Sequence, residues 1–235
     1  MNERLLIAVK SCLRDLDRGH HEIIRQTWGQ DVSPADLRFF LGGKEGISRL
    51  KADEKVMAVA DDYYSLPHKT REILRWSVYL DYDFTYLCDT DTFTIPRKLL
   101  TCGFQNFDYS GSFIPVTDVK AELNWREDKD RPDGGLGIRK WNHPYTNGGL
   151  GFFVSKKAAE FIIFSEPASW AEDRSVGQNL GPYIQQNVIK GRHLSGFEKR
   201  ISWHFPTEVY GVKQGGYDPK FGWMQKMHYL HGENK

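Results

Sequence analysis

A chain of 235 residues, 40% hydrophobic and 27% charged, carries enough apolar material for one globular core and no more than two small ones. Its formal net charge of +1 supplies no field for a long polyanion, which argues against a dedicated nucleic-acid binder. The three cysteines, Cys12, Cys88 and Cys102, are an odd count without metal-ligand spacing; they exclude a disulfide framework and read as buried free thiols in a reducing compartment.

The first apolar run, at 5–9, is continuous and aliphatic, the pattern of a strand buried on both faces. It is too short for a signal-peptide core, and no stretch approaches the ~20 apolar residues of a spanning helix. The expectation is a soluble, cytoplasmic chain, or a catalytic domain cut away from an anchor. Residues 17–28 are polar, with Ile23, Ile24 and Trp28 at helical spacing. Buried runs follow at 37–41, stopped by Gly42-Gly43, and at 56–60. Residues 67–80 set Ile73, Leu74, Val78 and Leu80 on one helical face, with Pro67 suited to the first turn. A strand at 84–88 runs directly into Asp89-Thr90-Asp91. A short helix opened by Pro96 and a strand at 109–114 come next.

Residues 115–147 break this alternation with charge, Gly and Pro, and read as a solvated loop of a length suited to covering a substrate. Order resumes in NGGLGFFVS at 147–155, a strand whose glycines give backbone access. Helices at about 156–164 and 172–186 follow, then β-like runs at 187–194 and 201–205 and an aromatic, Gly-rich tail from Tyr210. Alternating strands and helices predict an α/β fold: one domain with a doubly wound, mostly parallel sheet flanked by helices. Ligands in such sheets bind beyond the carboxyl ends of the strands, where Asp89 and Asp91 are expected.

Two carboxylates one residue apart behind a buried strand offer hard oxygens that suit Mn²⁺ or Mg²⁺ better than Zn²⁺. Such an ion neutralises charge on a departing diphosphate. Asp-x-Asp also occurs in many surface turns; here Phe84, Tyr86 and Leu87 before it and Phe93 and Ile95 after it set it against a core. Asp173, near a helix start, is either a cap for free backbone amides or a general base. His193 and His204 are either ordinary strand histidines or the residue that completes the metal site.

Several segments, in order, resemble the β1,3-galactosyltransferase and Fringe-type family of glycosyltransferases. Ile24-Arg25-Gln26-Thr27-Trp28-Gly29 is similar to that family's Ile-Arg-x-Thr-Trp-Gly. Asp62-x-Tyr64-x-Leu66 with Lys69-Thr70 resembles its Asp-x-Tyr-x-Asn-Leu-Thr-x-Lys-Thr. The segment from Tyr86 to Asp91 resembles the strand entering its Asp-x-Asp, and that from Tyr145 to Ser155 its Tyr-x-x-Gly-x-Gly-Tyr-Val-Leu-Ser. Glu172-Asp173-x-x-Val176-Gly177 is similar to its Glu-Asp-Val-x-x-Gly. The match spans roughly 5–205; its first and last motifs are fairly specific and the others loose.

The resemblance implies a GT-A fold, a UDP-sugar donor (UDP-galactose or UDP-N-acetylglucosamine) and an inverting transfer to a glycan, glycopeptide or small-molecule acceptor. It implies a donor-binding part at about 1–114, the loop 115–147, and an acceptor and catalytic part at about 148–235. Asp91 would bind the metal directly and Asp89 the metal or the donor ribose; Lys69, Gly148 and Gly149 would lie by the donor. Asp173 would be the base. Ile201-Ser202-Trp203-His204 resembles the late strand that ends in a metal-binding histidine, which favours His204 over His193. Arg25 and Trp28 would brace the first helix against the sheet. The residues depart from the family's pattern in offering no apolar stretch of anchor length and matching none of its disulfide cysteines, and the loop 115–147 aligns with nothing, so the acceptor stays open. Two alternatives are a nucleotide-sugar nucleotidyltransferase, for which Lys10 to Arg14 is no Gly-rich phosphate loop, and a non-catalytic sugar-binding relative.

Overall fold

The computed structural model describes residues 3–43, 47, 49–115, 143–194, 201–204, 224 and 227–229, the side chains of Trp203 and His204 excepted. A seven-stranded sheet forms its centre. Strands β1 (Leu5–Lys10), β2 (Asp36–Gly42), β3 (Glu54–Met57) and β4 (Phe84–Asp89) are joined by β6 (Tyr109–Gly111), β9 (Phe152–Ser155) and β10 (Gly191–His193). Their spatial order is β10-β6-β9-β4-β1-β2-β3. All pairings are parallel except those of β9, which runs against both β4 and β6. Two ribbons complete the strands. In one, β5 (Thr92–Thr94) pairs antiparallel with β11 (Ser202–His204); in the other, β7 (Phe113–Ile114) pairs with β8 (Tyr145–Thr146).

The unbroken LLIAV run is explained by layers on both faces. Leu5, Ile7 and Val9 meet Ile24, Trp28, Phe39, Tyr86 and Phe153 on one side; Leu6 and Ala8 meet Phe40, Leu74, Leu87 and Val154 on the other. The first layer is covered by α2 (His20–Gln26) and α4 (Pro96–Leu100), with α1 (Leu13–Asp17) packed beside α2, the second by α3 (Leu66–Tyr79), α5 (Lys156–Ile163) and α6 (Glu172–Gln185). The Ser155 hydroxyl caps α5 by accepting from Ala158 N at 3.1 Å.

The expected α/β sheet is present, with differences that have local causes. The helix expected at 17–28 is two short helices and a 3-10 turn, Trp28–Asp31, because Gly19 sits in the left-handed region at φ 78° and restarts the chain at α2. The run at 56–60 pairs only to Met57; beyond it, the Val59 carbonyl accepts from Gly43 N at 2.7 Å. The run at 109–114 divides between the central sheet and a ribbon. Of the expected loop, 116–142 lies outside the described residues, as does most of the tail. Among the described residues no helix is long and apolar enough to cross a membrane. All three cysteines are free thiols, but only Cys88 is buried; Cys12 and Cys102 are half-buried.

Candidate functional site

A cleft of about 400 Å³ opens beyond the carboxyl ends of β1, β3 and β4. Its wall is supplied by the segments that leave these strands: Lys10 to Asp15 after β1, Asp61 to Tyr63 with Leu66 and Lys69 after β3, and Asp89-Thr90-Asp91 after β4. The parallel register of β1 and β4 sets Lys10 opposite Asp89, so both polar groups leave the sheet at one level.

Lys10 is buried, and its ammonium lies 3.0 Å from Asp89 Oδ1 and also donates to Glu172 Oε1. Burial alone would pull its pKa down; the two carboxylates reverse that and raise it, so the charge is held. The cluster ties the end of β1 to the Asp-Thr-Asp turn and to the start of α6. Asp15 supports the turn from α1: its Oδ2 accepts from the Thr90 hydroxyl at 2.8 Å. Burial opposes the Asp15 charge, but bonds from His20 and Thr90 win and lower its pKa to about 2. Lys69, buried, donates to the Ser11 carbonyl at 2.6 Å and to Asp61 Oδ1 at 3.1 Å. Asp61 also accepts from Gly42 N and Leu13 N, which makes it the tie between the β1, β2 and β3 ends.

The second carboxylate set reaches the first through one 3-10 turn, Gly148–Leu150. Gly149 O accepts from the Thr92 hydroxyl at 2.7 Å, and the Thr92 oxygen accepts from Asp89 N at 3.1 Å. Gly148 N donates to Asp173 Oδ2 at 3.1 Å, while Asp173 Oδ1 accepts from Arg174 N at 2.7 Å. Leu150 O accepts from Tyr86 Oη at 2.8 Å and Ser202 Oγ at 2.7 Å. A Cβ at position 148 would stand 2.5 Å from Glu172 Oε1 and 3.1 Å from Asp173 Cβ, so any larger residue would have to push the Glu172 carboxylate aside. Burial, then the neighbouring Glu172, pushes the Asp173 carboxyl up to about 7, against bonds from the two amides. That is the range of a general base working near neutrality.

The two histidines differ in place. β11 pairs with β5 so that the backbone of His204 lies opposite Thr92, beside Asp91; its side chain is outside the described residues. His193 sits exposed on β10, three strands from β4, about 14 Å by strand spacing. Its Nδ1 accepts from Phe113 N at 3.0 Å. Of the expected residues, Asp89, Asp91 and Lys69 line the cleft, Gly148, Gly149 and Asp173 do not but are joined to Asp89 through Thr92 and the 3-10 turn, and His193 lies at the sheet edge. Among the described residues no three His, Cys, Asp or Glu side chains converge as a metal cluster. The donor set of Asp89 and Asp91, hard carboxylates beside solvent, still fits Mg²⁺ or Mn²⁺, ions that keep several waters and need few protein ligands.

Lys10, Asp15 and Asp61 escaped the sequence reading. Lys10 had a signal, a lysine closing an otherwise apolar strand. Asp15 and Asp61 had none, because their partners lie 75 and 48 residues away.

The sequence matches no protein-family model and no curated protein. Among solved structures, it is similar to the galactosyltransferase LgtC in complex with donor and acceptor sugar analogs. That likeness is 12% in identity, covers 97% of this chain and 95% of the other, and has a TM-score of 0.45. It is similar also to a glycosyltransferase involved in glycosylation of the major capsid of PBCV-1, at 10% identity over 95% and 99% of the two chains, with a TM-score of 0.49. At such identities and scores neither likeness carries an argument about chemistry.

Proposed function

We propose that this chain is an inverting, metal-dependent glycosyltransferase that moves a sugar from a UDP-sugar to an acceptor hydroxyl. The observation that carries the reading is the joint anchoring of the Asp89–Asp91 turn and of Asp173 on the Gly148–Leu150 turn. It links the proposed cation ligands and a carboxyl of raised pKa through neighbouring peptide groups, which supports a single displacement. The motif order in the sequence supports the same reading.

Asp89 and Asp91 would hold the divalent cation, with His204 as a third ligand; its chemistry is to neutralise charge developing on the departing diphosphate. Asp173 removes the proton from the acceptor hydroxyl as that oxygen attacks the anomeric carbon. The bond from that carbon to the diphosphate breaks, and UDP leaves with its electron pair. Lys10 holds Asp89 and Glu172 in place, and Asp15 fixes the turn through Thr90. Lys69 and the two glycines shape the donor side.

The test is a UDP-release assay with a panel of UDP-sugars and sugar acceptors, with and without Mn²⁺. Metal-dependent UDP release that needs an acceptor is expected. Pyrophosphate release from UTP and a sugar phosphate would instead identify a nucleotidyltransferase, and binding without turnover a sugar-binding protein.

A further inference from the structure

The cation site carries a positive charge of the chain's own. Lys10 leaves β1 opposite Asp89, lines the cleft with its side chain only 1% exposed, and sets its ammonium 3.0 Å from Asp89 Oδ1. The same ammonium donates to Glu172 Oε1. Two carboxylates on one buried lysine keep it charged, and burial leaves that charge little screened. The other cations of the cleft are engaged elsewhere. Lys69 bonds Asp61 and the Ser11 carbonyl, and Arg14, 72% exposed, lies 3.7 Å from Asp15.

A divalent ion seated on Asp89 must therefore share that carboxylate with a lysine. Like charges repel most where screening is weakest, so a bare ion either competes with the ammonium for Asp89 or sits beside it at a cost. A diphosphate changes the balance. Its negative charges attract the ion and the ammonium alike and offset the repulsion between them. Ion and diphosphate then favour each other's entry, and by reciprocity each favours the other's departure.

We propose that Lys10 is an electrostatic threshold: it keeps the Asp89–Asp91 pair from holding a bare divalent ion and reserves the pair for an ion that arrives, and leaves, with a nucleoside diphosphate. The inference rests on the pair being a cation site, as in the transferase reading. Lys10 acts here through Asp89, as a positioning residue.

The test is Mn²⁺ binding to the full chain without nucleotide, followed by loss of the free-ion paramagnetic resonance signal. Lys10→Gln keeps an N–H donor for the carboxylates and removes the charge; Lys10→Met removes both. Each is expected to bind bare Mn²⁺ about tenfold more tightly than the unaltered chain. Arg14→Gln removes an exposed charge from the same wall and should not change the affinity; an equal gain there would show that net charge alone is read and would overturn the assignment to Lys10. The unaltered chain is itself a test, whatever the folding of the variants. At the Mn²⁺ concentration that gives calorimetry its full Mn²⁺-dependent gain in UDP affinity, it should hold little Mn²⁺ when UDP is omitted, and full occupancy would overturn the inference. If the gain is present and the Lys10 variants hold bare Mn²⁺ no more tightly, the inference fails alone. If Mn²⁺ adds nothing to UDP affinity at any concentration, the cation site and the transferase reading fail with it.

Discussion

Two half-buried charge clusters brace the sheet, and they differ in where they stand. In one, Arg25, 18% exposed, meets Asp53 at 2.7 and 2.8 Å, Glu54 at 2.6 Å, and the face of Phe39 at 4.8 Å. It locks α2 to the β3 edge. In the other, Lys10 joins Asp89 and Glu172, yet Asp89 stands at a cleft with its side chain 30% exposed. Asp53 of the first is as exposed as Asp89, so the distinction is one of place: the second opens on the cleft through Lys10 and Asp89, and the first does not line it. Ion pairs of this kind are weak evidence for stability, so placement on a cleft separates a brace from a site better than the count of partners does.

The largest test of that contrast is at the base behind the open cluster. Asp173→Asn should lower turnover by about 10²–10⁴-fold while calorimetry finds Mn²⁺-dependent UDP binding intact. Normal turnover would remove Asp173 from the mechanism. Asp91→Ala should abolish the gain in UDP affinity that Mn²⁺ gives; unchanged affinity would sink the cation site. A paired comparison then asks whether the clusters differ as drawn. Lys10→Met and Arg25→Met should each cost roughly 3 kcal/mol in urea unfolding, because each strands one buried carboxylate, Glu172 or Glu54. Mn²⁺ should restore part of the loss for Lys10→Met, by supplying positive charge beside Asp89, and none for Arg25→Met. Equal behaviour of the two in Mn²⁺ would erase the distinction.

The gentlest test is pH. Asp173 must be ionised to act, so turnover should fall about tenfold per unit as pH drops below about 7, and Asp173→Asn should lose that dependence. Stability should run the other way. A carboxyl whose folded pKa is raised from 3.8 to about 7 favours folding most below the unfolded value, and that contribution is lost as pH rises through 7. Denaturant midpoints compared between the unaltered chain and Asp173→Asn between pH 4 and 7 would read it.

Much of this was legible in the sequence. The LLIAV run, the Pro67 helix and the placement of Asp89 at the end of β4 follow from hydrophobic period and capping chemistry alone. The reversed direction of β9 was not, since an apolar FFVS reads the same in a parallel or an antiparallel strand. Nor was the break at Gly19, because one glycine inside a helical pattern is often tolerated. At the site, Asp173 presented itself as a cap, and only Gly148 N at 3.1 Å and the crowding by Glu172 distinguish it. Residue types revealed the candidates; contacts between distant segments show which of them stand together.

The arch at Gly148–Leu150 has a consequence for accuracy. With Asp173 hung on one amide and Thr92 on the next carbonyl, the gap between the two carboxylate groups is set by a single covalent link. Errors in helix tilt or strand twist elsewhere shift both groups together, so the spacing has a local datum, as a gauge block does, and the surrounding loops are free to vary in length without detuning it.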